Sequence, residues 1–188
     1  MALTNEFIKQ KLIDKFGDQV FAFEEQFGLL SFHADKEINL KILSFLKEDE
    51  TLGFNFLTDI CGVHYPDQKG AELAVVYHLH NIKENVRLRF KVFADINKPE
   101  VYTATGIYEA ANWMEGETYD FYGIIFIGHP NLKRILNVDE MDYFPMRKEY
   151  PLEDQSRIDK DDEMFGRGGS DHFDLGKRLQ DSVVENEK

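Results

Sequence analysis

The chain has 188 residues, 43% of them hydrophobic and 16 of them Phe, enough apolar material for one domain that buries roughly 70% of its unfolded surface. Thirty-five acidic residues against 22 basic ones leave a formal charge of −13, a balance that repels phosphate backbones and makes nucleic acid a poor partner. The opening Met1-Ala-Leu-Thr-Asn-Glu-Phe7 has no basic n-region or apolar h-region, and no stretch approaches the roughly 18 apolar residues of a membrane span, so the expected location is cytoplasmic or cytoplasm-facing. Cys61, the single cysteine, allows neither an internal disulfide framework nor an iron–sulfur cluster held by this chain alone. Neither GxGxxG nor GxxxxGK[ST] occurs, so the two commonest nucleotide phosphate cradles are missing.

Thr4 or Asn5 can cap a first helix, with Ile8, Leu12, Ile13 and Phe16 at helical spacing and Gly17 placed to end it. Apolar runs at 20–23 and 29–32 read as strands around a turn containing Glu24, Glu25 and Gly28. Asp35 can cap a second helix, whose Ile38, Ile42, Leu43 and Leu46 share one face before the element ends near 48–51. A strand over 54–63 is broken at Tyr65-Pro66-Asp67-Gln68-Lys69-Gly70. Leu73, Val75, Tyr77 and Leu79 then alternate with Ala74, Val76, His78 and His80. Val86, Leu88, Phe90 and Val92 alternate with Arg87, Arg89 and Lys91 at a strict period of two. The short connection between these runs predicts an antiparallel hairpin.

Residues 102–114 are expected to form a helix with Ala104, Ile107, Ala110, Ala111 and Met114 along one side and Trp113 in the core. A further strand follows at 124–127, ended by a turn at His129-Pro130. From Pro145 the periodicity fades, and residues 153–163 hold six acidic against two basic residues before Gly166, Gly168 and Gly169. The expected fold is α+β, a largely antiparallel sheet covered by helices, with a core domain over 1–144 and an extended acidic C-terminal arm over 145–188.

Residues 110–151 read AANWMEGETYDFYGIIFIGHPNLKRILNVDEMDYFPMRKEYP. The stretch resembles the signature of the 30 kDa subunit family of bacterial NADH-quinone oxidoreductase, respiratory complex I. Matching positions include Ala111, Trp113, Glu115, Glu117, Tyr119, Asp120, Tyr122, Gly123, Gly128, His129, Pro130, Arg134 and Leu136, then Pro145, Arg147, Lys148, Tyr150 and Pro151. Upstream, LTDICGVHYP at 57–66, VVYHL at 75–79 and VRLRFK at 86–91 are similar to the family's strand segments. Gly116, Phe144 and Glu149 depart from the family's usual arginine, histidine and aspartate.

The resemblance implies a peripheral-arm subunit beside the large quinone-site subunit, on the cytoplasmic side of the bacterial inner membrane. It implies a complex passing electrons from NADH through FMN and iron–sulfur clusters to quinone, coupled to proton pumping, with no cofactor in this chain. The same signature also suits the equivalent connecting subunit of a ferredoxin-dependent relative. Arg147 and Lys148 form a basic step between Pro145 and Pro151 that suits an acidic partner.

The residues by themselves allow other chemistry. Glu115, Glu117 and Asp120 are close enough in sequence for general acid–base work, and Glu117, Asp120 and His129 could serve a free-standing hydrolase. The plainer expectation is that these carboxylates accept from backbone donors or pair with Arg134 and Arg147, with Gly123 permitting a tight bend. Cys61, His64, His78 and His80 offer zinc-ligand types, but two-residue spacings on strands do not make a site, and no metal is expected. Gly166 to Gly169 could form an anion-binding nest, but a flexible link inside an acidic tail is the expectation.

Overall fold

The computed structural model describes residues 3–150. Pro151, the acidic run at 153–163 and the glycines at 166–169 lie outside them, as does the expected arm from 151 onward. Among the described residues no helix is long and apolar enough to cross a membrane.

Helix α1 (Asn5–Phe16) begins where Thr4, in extended backbone, accepts from the Phe7 amide at 3.3 Å, satisfying one of the free donors of the first turn. It ends at Gly17, whose φ of +56° is costly for other residues and whose amide returns to Ile13. Strands β1 (Val20–Gln26) and β2 (Leu29–Ala34) form an antiparallel hairpin through the left-handed pair Phe27-Gly28. Asp35 makes no side-chain cap. A 3₁₀ turn over Lys36–Ile38 precedes α2 (Asn39–Glu48), so the helix starts later than the capping pattern suggests.

Strands β3 (Phe56–His64), β4 (Leu73–Asn81) and β5 (Val86–Ala94) complete a five-stranded sheet in the order β1-β2-β5-β4-β3. Three of its four pairings are antiparallel, while β2 and β5 run parallel because the chain leaves the hairpin through α2 and returns to its open side. The α+β architecture read from the sequence is thus the one observed, in a mixed sheet.

On one face Phe32, Phe90 and Tyr77 stack across β2, β5 and β4 at centroid distances of 5.3 and 4.6 Å, with Phe23 stacked on Phe32 at 5.3 Å. Ile8 and Leu12 of α1 and Ile42, Leu43 and Leu46 of α2 join the same buried cluster. Each stacked pair adds about 0.5–1.5 kcal/mol beyond the area it buries.

Two elements depart from expectation. The helix predicted over 102–114 is replaced by β6 (Glu100–Tyr102), an irregular turn, and then α3 (Ala111–Tyr122). The 103–110 segment cannot continue helically, because the Glu115 carboxylate takes the Ala104 amide at 2.6 Å and the Thr103 hydroxyl at 2.5 Å, while Tyr108 donates to Phe54 O. Trp113, expected in the core, is 69% exposed. Strand β7 (Ile125–Ile127) pairs in parallel with β6 in a small second sheet.

The expected boundary at 144/145 cuts a segment bound to the core. Met146 N donates to Phe121 O at 3.2 Å, Arg147 Nε to Tyr122 O at 2.8 Å and Lys148 N to His64 Nδ1 at 2.9 Å. Residues 145–150, assigned from the sequence to the arm, are therefore part of the folded unit.

Candidate functional site

The signature gathers around α3, and its two buried carboxylates face different partners. Asp120, at the C-terminal end of α3 and fully buried, is the hub of one cluster. Its Oδ2 accepts from the amides of Ile135, Leu136 and Asn137 at 3.1, 2.7 and 2.9 Å, and its Oδ1 from Arg134 Nη1 at 2.9 Å and Asn137 Nδ2 at 3.1 Å. Burial alone would raise this carboxyl, but the backbone and side-chain donors outweigh it and hold the group well below the usual carboxylate range. Arg134 continues outward, its Nη2 donating to Met141 O and Tyr143 O at 2.8 and 2.9 Å. One ion pair thus fastens an irregular segment to the end of a helix and supplies partners for backbone groups that have none in a helix or strand.

The next layer is aromatic. Phe144 lies between the Arg134 and Arg147 guanidinium groups, 5.0 and 4.7 Å from its ring centre, with Tyr119 edge-on at 6.1 Å. Gly123 ends α3 at φ +74° with the Phe144 ring directly over its Cα, in the space a Cβ would occupy. Gly123→Ala should accordingly combine left-handed strain of about 1–2 kcal/mol with overpacking of about 1–3 kcal/mol. A denaturant midpoint shift with an unchanged m-value would measure it, whereas a loss under about 0.5 kcal/mol would mean that the ring moves freely aside. The basic step expected at Arg147 and Lys148 is divided: the Arg147 side chain packs inward against Phe144, while Lys148 is exposed.

Glu115 belongs to a second cluster, one helical turn earlier. Besides its bonds to Thr103 and Ala104, it lies 4.0 Å from His129 Nε2, with both side chains essentially buried. Burial pushes its carboxyl up to about 7, against two hydrogen bonds that favour the ionised form. His129 Nε2 donates to Asn112 O at 3.0 Å, and Nδ1 accepts from the Asn131 amide at 3.1 Å, which assigns the neutral Nε2–H tautomer. Gly128 turns the chain at φ +85° immediately before it, and Pro130 is exposed immediately after. Glu117 points to solvent.

Glu117, Asp120 and His129 therefore form no catalytic group: the first is exposed, the second has both oxygens occupied by donors, and the third accompanies Glu115. Of the expected charge partners, Arg134 pairs with Asp120, but Arg147 is 4.0 Å from Glu149 instead. Pro145 is half-buried, and Tyr150 packs on Tyr143 at a centroid distance of 4.9 Å. Gly116 faces Ile135, whose Cδ1 would lie 3.7 Å from an added Cβ, so this position has room for a methyl beside the segment that Asp120 anchors. Thr103 and the 135–137 amides, both essential to these clusters, carry no signal in the linear sequence because they reach the carboxylates only through the fold.

Of the metal-ligand types, Cys61 and His78 meet on adjacent strands with Asp59, their ligand atoms within 4.8 Å of one another. His64 is instead buried against Lys148, and His80 bonds Asn85 at 3.2 Å. Burial, reinforced by Asp59, pushes the Cys61 thiol up to about 11, and Arg89 stands opposite His78 in the sheet register.

A family model described as respiratory-chain NADH dehydrogenase, 30 kDa subunit, matches residues 32–156. The chain is 42% identical over 125 residues to the NADH-quinone oxidoreductase C subunit of Streptomyces coelicolor, a match covering 66% of this chain and 50% of that protein. It is 36% identical over 157 residues to the corresponding protein of Mesorhizobium japonicum, covering 84% and 75% respectively. The chain spans about half the length of the first of these relatives and three quarters of the second. Among solved structures, a trypsin-resistant fragment (1-134) of Nqo5 matches with a TM-score of 0.57 and 31% identity over 68% of this chain and 98% of the fragment. A chain of the membrane-bound sulfane sulfur reductase, an archaeal respiratory membrane complex, shares the fold with a TM-score of 0.66 at 23% identity, over 84% of this chain and 96% of that one. With two thirds of its length inside the family match and its signature folded into two carboxylate-centred clusters, the chain belongs to the 30 kDa subunit family of the respiratory-chain NADH dehydrogenase.

Proposed function

We propose that this chain is a non-catalytic peripheral-arm subunit of a proton-pumping NADH-quinone oxidoreductase. In this reading it docks on the large quinone-site subunit at the cytoplasmic side of the inner membrane and holds it in position during electron transfer. The observation that carries the reading is an inversion of the usual arrangement in the signature. Two of its acids, Glu115 and Asp120, are turned inward onto donors, and three of its large apolar residues are turned out while Ile124 and Phe126 stay in the core: Trp113 is 69%, Leu136 65% and Val138 63% exposed. Large exposed apolar side chains concentrated in one segment mark a surface that another protein covers. The carriers FMN and iron–sulfur belong to other subunits in this reading, since one cysteine cannot ligate a cluster.

The test is assembly. A Trp113→Asp, Leu136→Asp chain, expressed in place of the native one, should fold normally by circular dichroism. It should nevertheless lower the recovery of intact complex from mild-detergent membranes at least tenfold, with quinone reductase activity falling in proportion. Unaltered assembly would remove the docking reading. Stoichiometric flavin or iron in the purified chain would remove the non-catalytic one.

A further inference from the structure

The five-stranded sheet has a second face, opposite the stacked rings of Phe32, Phe90 and Tyr77. Along its centre run Arg87, Arg89 and Lys91 of β5, at alternate positions and so roughly 7 Å apart on one side of the strand. The register places His80 and His78 of β4 beside Arg87 and Arg89, and Ser31 and His33 of β2 beside Arg89 and Lys91.

Among the described residues none of these three cations forms an ion pair within 4.0 Å; the register sets Glu24 and Asp59 at the two ends of the Arg89 row, beyond Ser31 and His78, while the rows of Arg87 and Lys91 contain no carboxylate. Arg89 spends Nε on the Ser31 hydroxyl at 2.9 Å, and Lys91 reaches the Tyr65 hydroxyl at 3.4 Å. Burial and the Lys91 charge lower the His33 pKa against a smaller opposing effect of Glu24, so that its ring adds apolar surface rather than charge at neutral pH. Beside the cations an aromatic row of Tyr65, Phe93, His33 and Phe21 crosses the same face, with neighbouring rings 5.0 to 6.0 Å apart.

Three aligned like charges repel one another. In a protein of charge −13, a stripe of cations without an ion pair among the described residues is complementary to a surface of opposite sign. Aromatic rings and arginine gathered on one face are also the composition of a protein interface, where both are enriched. We propose that this face of the sheet docks an acidic surface of another protein subunit of the complex, with Arg87 and Lys91 making the charge contacts and the aromatic row supplying the desolvated floor. The proposal rests on the assembly reading above and adds to it a second contact surface, separate in sequence from the signature. Complementarity of this kind sets encounter rate and orientation more than raw affinity.

The experiment replaces the native chain by full-length Arg87→Glu, Lys91→Glu. Both positions lie off the stacked core, so circular dichroism and thermal midpoint of the purified variant should match the wild type. Recovery of assembled complex should fall at least tenfold, whereas Arg87→Lys, Lys91→Arg should restore it. For the wild-type chain, capture of the remaining subunits should weaken steeply between about 50 and 500 mM salt. Wild-type assembly of the charge-reversed chain would overturn the proposal. So would normal assembly accompanied by lost binding to vesicles of anionic phospholipid, which would assign the stripe to a membrane surface. Failure of the wild-type chain to assemble with any subunit would instead defeat the parent reading, so the two failures are told apart.

Discussion

Asp120→Asn should lower the unfolding free energy by about 3–5 kcal/mol, the cost of leaving a buried ion pair and its donors without their acceptor. The substitution keeps the shape of the side chain but sets an amide group against the donors that converge from Arg134 and residues 135–137. The segment released is the one that carries Leu136, Val138 and the Phe144 ring, so assembly should fail together with stability. Glu117→Gln, on the exposed side of the same helix, should change stability by no more than about 0.5 kcal/mol and serves as control. The pH dependence has a definite sign. Because Asp120 is held below its ordinary 3.8, its contribution is fully present above that value and is lost as the solution is acidified through the folded-state value. The acid limb of the wild-type stability curve should therefore be steeper than that of Asp120→Asn. An Asp120→Asn protein within about 1 kcal/mol of wild type at neutral pH would show that the 131–150 segment is held by its rings and by the bonds of residues 146–148 without need of the Asp120 carboxylate.

Glu115 should produce the opposite dependence. Its carboxyl lies at about 7 in the folded protein against 4.5 for the free side chain, so the native state holds the proton more tightly than the unfolded chain does. The resulting stability is complete below about pH 4.5, declines as pH rises from there, and is gone above about 7, a swing of roughly 3 kcal/mol. Glu115→Gln presents a neutral group of the same shape, with its carbonyl oxygen able to accept from Ala104 and its amide able to donate to Thr103. The variant should match the wild type near pH 4.5 and exceed it by up to roughly 3 kcal/mol at about pH 8, the difference between two urea unfolding series being the quantity measured. Parallel profiles across that range would mean that the Glu115 site is hydrated enough to titrate normally.

The two clusters explain why this part of the fold escaped the linear pattern. An amphipathic helix is recognised by apolar residues at helical spacing, and the inward side of α3 is instead Ala111, Glu115, Gly116, Thr118 and Asp120. Trp113 points outward, and only Met114 and Tyr122 of the helix's large side chains pack against the core cluster. The expected helix consequently fell on the preceding stretch, where Ala104, Ile107, Ala110 and Ala111 have the right spacing but the backbone donors belong to Glu115. Strands β6 and β7, three residues each, are too short for a period of two to be distinguished from a turn.

Linear pattern was sufficient wherever it coincides with burial: α1 with its Thr4 and Gly17 ends, the apolar face of α2, and the alternating strands β4 and β5 that pair as an antiparallel hairpin. The ordered spacing from Ala110 to Tyr150 carried the family as well, because a signature of that length is read without its geometry. Which acid does what came from the fold alone. Glu115, Glu117 and Asp120 are indistinguishable as a row of carboxylates, and their roles follow from the donors that Thr103, Ala104, Arg134 and residues 135–137 bring from elsewhere in the chain. The parallel pairing of β2 with β5 was likewise invisible along the chain, since hydrophobic alternation records which side of a strand is buried and says nothing about its neighbour or direction.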